Sequence, residues 1–203
     1  MKLTLKHALA SIILVLSFSV PVAAAPPDDP PEMKALDAVG RGDFANAVKF
    51  SRIAADQGNP NGEFLLGMLY QTGQGVPKSA VDAVKWYRLA AIQGFTPAQS
   101  SLGDMYNHGL GIPKDYPEAA KWRRMAADAG DRGDETKLAL MYYDGHGVPK
   151  DYVRAHMWFS LAAAQGYQAA ADGRDIVARH MTAAQIAKAE KLAREWKAAK
   201  QPR

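Results

Sequence analysis

His108, His146 and Asp144 are the side chains that come nearest to a catalytic or metal-binding set in this chain. Two imidazoles and a carboxylate can hold a divalent cation or relay a proton when their ring nitrogens and oxygens converge. Both histidines sit beside glycine-rich loops in neighbouring segments, and their spacing does not require them to meet. The familiar nucleophiles are missing. No serine is followed by lysine three positions later or stands in a Gly-x-Ser-x-Gly elbow, and neither His-Glu-x-x-His nor a phosphate-binding Gly/Lys loop occurs. There is no cysteine, so disulfides, thiolate metal sites and lipid attachment to a thiol are all excluded. No catalytic residue, metal ligand or cofactor is therefore assigned.

Trp86, Trp122 and Trp158 invite a ligand-stacking reading, but their spacing of 36 residues points to packing instead. The same interval relates Tyr70, Tyr106 and Tyr142, and also Gly73, Gly109 and Gly145. Gly75, Gly111 and Gly147 follow it, as do Pro77, Pro113 and Pro149. Gly94, Gly130 and Gly166 close each copy. Three ungapped copies in register are an internal repeat. One period earlier, Ala47, Lys49, Phe50, Ala54, Ala55 and Gly58 fall at matching phases, marking an abbreviated first unit with helices joined through Gly40-Arg41-Gly42-Asp43.

Each unit reads as two helices. Helix A of the first full copy runs from about Asn61 to Thr72, with Leu66, Leu69 and Tyr70 on one face. Gly67 and Gly103, with Ala139 in the third copy, leave room for a neighbouring helix. Gly73 suits the left-handed position past a helix end, and Gly75 supplies a second turn residue. The loop is scaffold. Helix B begins at a side-chain cap: Ser79 with Asp82 and Asp115 with Glu118 have capping-box spacing, whereas Asp151 is followed by Arg154. Neither helix buries its apolar face alone, so the units must stack.

The pattern Leu-Gly-x-x-Tyr-x-x-Gly-x-Gly-Val-Pro-Lys, then Ala-x-x-Trp-Tyr-x-x-Ala-Ala-x-x-Gly, resembles the Sel-like repeat family, relatives of the tetratricopeptide repeats. Leu66 to Gly94 carries it almost completely. Leu102 to Gly130 has Arg123 in place of the second aromatic, and Leu138 to Gly166 departs at Ala139 and Met157. The resemblance implies an all-α, right-handed α-solenoid serving as adaptor or scaffold, in exported bacterial examples often for envelope proteins. A cysteine-rich branch of the family is associated with binding or hydrolysing β-lactams. That leaves a cell-wall or β-lactam-related enzyme or binder as the alternative reading, although this chain lacks that branch's paired cysteines.

The expected organisation is a signal peptide over residues 1–24, a proline-rich spacer over 25–32, the abbreviated unit over 33–58 and full repeats over 59–94, 95–130 and 131–166. C-terminal capping helices complete it over 167–203. Lys2 and Lys6 precede an apolar run from Ala8 to Val20, which is about 13 residues and too short to span a bilayer. Small residues at Val22 and Ala24 favour cleavage after Ala24; cleavage after Ala25 would place Pro26 at the scissile bond. Export to the periplasm or beyond is thus expected, with no stable membrane insertion. Cleavage lowers the formal net charge from +4 to +2, which argues against nucleic acid as a partner. At the other end, Thr182 with Gln185 forms a capping box. Ile186, Ala189, Leu192, Ala193 and Trp196 make an apolar stripe opposite Lys188, Lys191, Arg194 and Lys197. This final helix is expected to act as a terminal repeat with a solvated outer face.

With no catalytic set assigned, function is to be sought where the units differ. Opposite the constant face of helix A stand Phe64, Met68 and Gln71, then Ser100, Asp104 and Asn107, then Thr136, Leu140 and Tyr143. A buried position is held to one size by packing, so an aromatic that becomes serine or threonine predicts an outward face. These nine residues form the candidate groove for a protein or peptide partner.

Overall fold

The computed structural model describes residues 29–200; the expected signal peptide and the first half of the proline-rich spacer, residues 25–28, lie outside them. The described residues form ten helices and no strand. The helices are α1 (Pro31–Gly40), α2 (Phe44–Asp56), α3 (Pro60–Thr72), α4 (Ala80–Ile92), α5 (Thr96–His108), α6 (Tyr116–Asp128), α7 (Arg132–Asp144), α8 (Tyr152–Ala163), α9 (Gln168–Ala178) and α10 (Ala183–Lys200). Pro31, assigned above to the spacer, instead opens α1. Proline is tolerated there because the first helical N–H has no partner inside the helix.

Each long loop closes in the same way. Gly73, Gly109 and Gly145 take the left-handed conformation and donate to the carbonyls of Leu69, Met105 and Met141. Ser79, Asp115 and Asp151 then accept from the backbone N–H of Asp82, Glu118 and Arg154. The return bond of a capping box is absent here, because the cap residues' own N–H groups donate to the carbonyls of Tyr70, Tyr106 and Tyr142 at 2.9, 3.0 and 2.9 Å. One residue thus starts helix B and pins the loop to helix A. At α10 the box is reciprocal, through Thr182 N–H to Gln185 and Gln185 N–H to Thr182.

Stacking follows the register. Principal contacts run between consecutive helices, extended by α1 on α3 and α8 on α10. Gly75, Gly111 and Gly147 do more than turn the chain. A Cβ at any of them would run into the backbone at Phe44, Ala80 or Tyr116, the first residues of the preceding unit's helix B. A second set of ties joins the same units: Arg52, Arg88 and Arg124 donate to the hydroxyls of Tyr70, Tyr106 and Tyr142 at 2.9, 2.6 and 3.3 Å. Alanine, leucine, methionine and aromatic side chains fill the core, which runs along the stack as four buried clusters among the described residues. Trp122 and Trp158 are part of it, while Trp86 is only half-buried.

The C-terminal helix departs from the expected terminal repeat. It scarcely touches α9, where the B helix of a fourth unit would pack. Instead it folds back along α8 towards α6, with Ala189 and Ala193 buried against α8 and Trp196 donating to Asp128 at 3.3 Å.

Candidate partner-binding surface

The A helices α3, α5 and α7 share one partly open side, and the nine predicted residues occupy it unevenly. Met68, Asp104 and Leu140, at one repeat phase, mark its centre; Leu140 is 46% exposed and the Asp104 side chain 43%. Phe64 overturns the outward reading at its phase. It is 5% exposed, packed against the rings of Tyr87 and Phe95 at 5.5 and 5.3 Å. Ser100 and Thr136 are half-buried, with Thr136 bonded to the Arg132 carbonyl. Gln71 accepts from the Tyr87 hydroxyl at 2.6 Å, and Asn107 lines a cleft between α5 and α7. Tyr143 sits apart in an aromatic cluster with Tyr152 and His180, where Lys150 approaches both tyrosine rings.

Phe64 is buried where its repeat counterparts are small and polar because its neighbours change with it. In the first full unit Phe64, Tyr87 and Ala98 fill the interior; one period on, the same positions are Ser100, Arg123 and Asp134. Arg123 is 4% exposed and bonds Asp104 at 2.7 Å and Asp134 at 3.1 Å. Asp134, itself 2% exposed, also accepts from the Ser100 hydroxyl. Lys137 reaches Asp104 at 3.0 Å from the solvent side. Two cations thus face two carboxylates, and the third unit restores Thr136, Phe159 and Ala170.

Burying ions is costly unless each is paired and hydrogen-bonded, and this network meets that condition. The two aspartates respond differently. Burial pushes Asp104 up, but Lys137 and Arg123 outweigh it and hold the carboxyl below the usual range. For Asp134 burial dominates, with Ser100, Lys137 and Arg123 offsetting only part of it, so its carboxyl lies above the usual range. Arg123, Asp134 and Lys137 were missed by sequence reasoning. The signal was available in Arg123, which breaks the aromatic position, read together with the columns that change beside it.

Beside this network, the cleft is lined by Asn107, Lys137, Leu140, Asp144 and His146. His146 stacks on Tyr116 at 5.3 Å, whereas the His108 ring lies against the Asp104 carbonyl of its own helix. The two histidines and Asp144 therefore do not converge. Among the described residues no group of three or more histidine or acidic side chains is placed to hold a metal ion.

The Sel1 repeat family model matches residues 36–59, 60–95, 96–131 and 135–167, more than half of the chain. This chain belongs to the Sel1 repeat family. A Sel1 repeat protein from Oxalobacter formigenes is 35% identical with a TM-score of 0.66, over 68% of this chain and 57% of that one. Also similar is c5321, a protective antigen of uropathogenic Escherichia coli strains displaying this repeat fold. It is 28% identical with a TM-score of 0.56, over 80% of this chain and 45% of that one. The chain thus spans about half the length of these two structures. No curated protein matches it. The architecture is an all-α repeat solenoid, and Sel1 repeats commonly serve as protein interaction scaffolds.

Proposed function

We propose that this chain is an exported interaction module that binds a protein or peptide partner along the A-helix side of its Sel1 repeats. The observation that carries the reading is the centre line of Met68, Asp104 and Leu140. An ion network in the middle unit is flanked along it by an apolar side chain at either end. Such a line fits an extended partner segment with a charged centre and apolar flanks. The cleft beside it brings no nucleophile and base together, which favours binding over turnover.

The test uses purified protein lacking residues 1–24 as bait in crosslinking with envelope extract. One partner should be captured by the wild type and lost with Met68→Asp and with Leu140→Asp. Phe64 is unsuitable as a probe, because truncating it would damage the core. Equal capture by all three proteins would sink the proposal. Steady-state hydrolysis of a chromogenic β-lactam would favour the enzymatic alternative. Export is proposed on the charged, apolar and small-residue order of the N-terminus. Intact mass should show the exported chain beginning at Ala25, and a cytoplasmic chain beginning at Met1 would refute it.

A further inference from the structure

The fold-back of α10 leaves a space beneath it. Between α10 and the B helices α6 and α8 lies a cavity of about 370 Å³, lined by Arg124 from α6, Arg154 from α8 and Glu195 from α10. Met157, Leu192 and Trp196 give it an apolar wall. Cavities that hold small ligands start at roughly 300 Å³. Both guanidiniums are fixed from behind. Arg124 donates through Nε to Asp128 and through Nη1 to the Tyr142 hydroxyl, each at 3.3 Å, and lies 5.0 Å from the centre of the Trp158 ring. Arg154 meets Asp151 through Nε at 3.5 Å and stands 5.5 Å from the centre of the same Tyr142 ring. Tyr142 thus gathers the two cations. Among the described residues no hydrogen bond engages Arg124 Nη2 or either Nη of Arg154.

Arg154 is a reversal of charge. At its phase the two preceding units carry Asp82 and Glu118, in the first turn of helix B and paired with Lys85 and Lys121 at 2.9 and 3.1 Å. In α8 both members of that pair are replaced, by Arg154 and Met157. A carboxylate in the first turn is favoured by the helix dipole and a cation is opposed by it, so the exchange works against α8 locally. Glu195 does not neutralise it. That carboxylate meets Lys191 of its own helix at 3.7 Å, and among the described residues no ion pair joins it to either arginine. We infer that the cavity is a binding site for a small amphipathic oxyanion, with a carboxylate or phosphate held by the Nη groups of Arg124 and Arg154. The apolar body of the ligand lies against Met157, Leu192 and Trp196. Guanidinium forks match the paired oxygens of such a head group, and a neutral head would leave both cations without a counterion. The site shares no residue with the A-helix line, so either reading can fail without the other.

The probes are octanoate, octyl phosphate and octan-1-ol, titrated calorimetrically into the full exported chain. At least one of the two anions should bind saturably at a single site, and the tighter of them identifies the head group. The alcohol should bind at least tenfold more weakly, about the contribution of one charge-assisted hydrogen bond. Arg154→Glu restores the acid of the preceding units and should weaken the anion by at least the same factor. The Arg154 side chain is 56% exposed, so circular dichroism should show an unchanged fold. Glu195→Gln removes a competing carboxylate and should tighten binding, whereas Leu140→Asp should leave it unchanged. Absence of saturable binding by both anions, equal affinity for the alcohol, or wild-type affinity in Arg154→Glu would overturn the inference. So would a Glu195→Gln variant that melts at lower temperature with no gain in affinity, because Glu195 would then be the arginines' own counterion.

Discussion

Arg123 fills a slot that its repeat counterparts give to Tyr87 and Phe159, and Gly103 beneath it leaves space for its stem. The exchange works only as a set. Arg123→Tyr alone should leave Asp134 buried without its cation and cost about 3 kcal/mol in urea unfolding. Adding Ser100→Phe, Asp104→Met, Asp131→Phe and Asp134→Ala, the residues of the preceding unit, should recover most of that loss. If the single and fivefold variants unfold at the same urea concentration, the columns are not coupled. A second buried acid makes a pH prediction. Burial, then Asp131, pushes Glu135 up to about 7, against the opposing effects of Gln165 and Lys197. Between about pH 4.5 and 7 the folded chain holds a proton that the unfolded chain has released, so stability falls as pH rises through that window. Glu135→Gln keeps an acceptor for the Gln165 amide. It should flatten the profile, a relative gain on the order of 2 kcal/mol at pH 8 over pH 4.5. An unchanged slope of unfolding free energy against pH would refute this.

At the level of elements, glycines with the same backbone sign have different roles. Gly111 has φ +73° and its missing Cβ would collide with the backbone at Ala80; Gly130 has φ +91° with nothing within 4 Å. Gly130→Ala should therefore cost about 1 kcal/mol from backbone strain alone. Gly111→Ala should cost more than twice as much, because it must also separate two units; equal midpoints in thermal melts would contradict that contact. The contrast shows what was legible in the sequence. Helix ends, caps and the two-helix unit are written in local residue types, so Gly73, Asp115 and Thr182 could be placed from their neighbours. The orientation of the candidate site could not, since it depends on side chains such as Ser100 and Asp134, 34 residues apart. Met157 departs from the repeat pattern in the sequence itself, yet the reason, coverage by α10, lies in a helix that begins at Ala183.

For the whole molecule, α10 acts as a lateral brace. Removing residues from 182 onward should uncover Met157, Trp158 and Leu161 while leaving the α1 to α9 stack in place. Buried apolar side chains of this size each contribute roughly 1.5–3 kcal/mol. The shortened chain should melt at lower temperature, bind a hydrophobic dye and associate with itself in analytical ultracentrifugation. A monomer with the parent melting temperature would show that α10 is dispensable for stability.

The arginine-to-tyrosine ties have a direction, each passing from one unit's helix B to the next unit's helix A. At Ser160 the arginine is gone, and Ala178 stands where the receiving tyrosine would be. The array therefore has an open side and a closed side for growth by internal duplication. A copied 36-residue segment inserted before Tyr142 inherits both a donor behind it and an acceptor ahead. One appended after Ala163 would meet neither, and would have to displace α10's foothold or evolve its own joint.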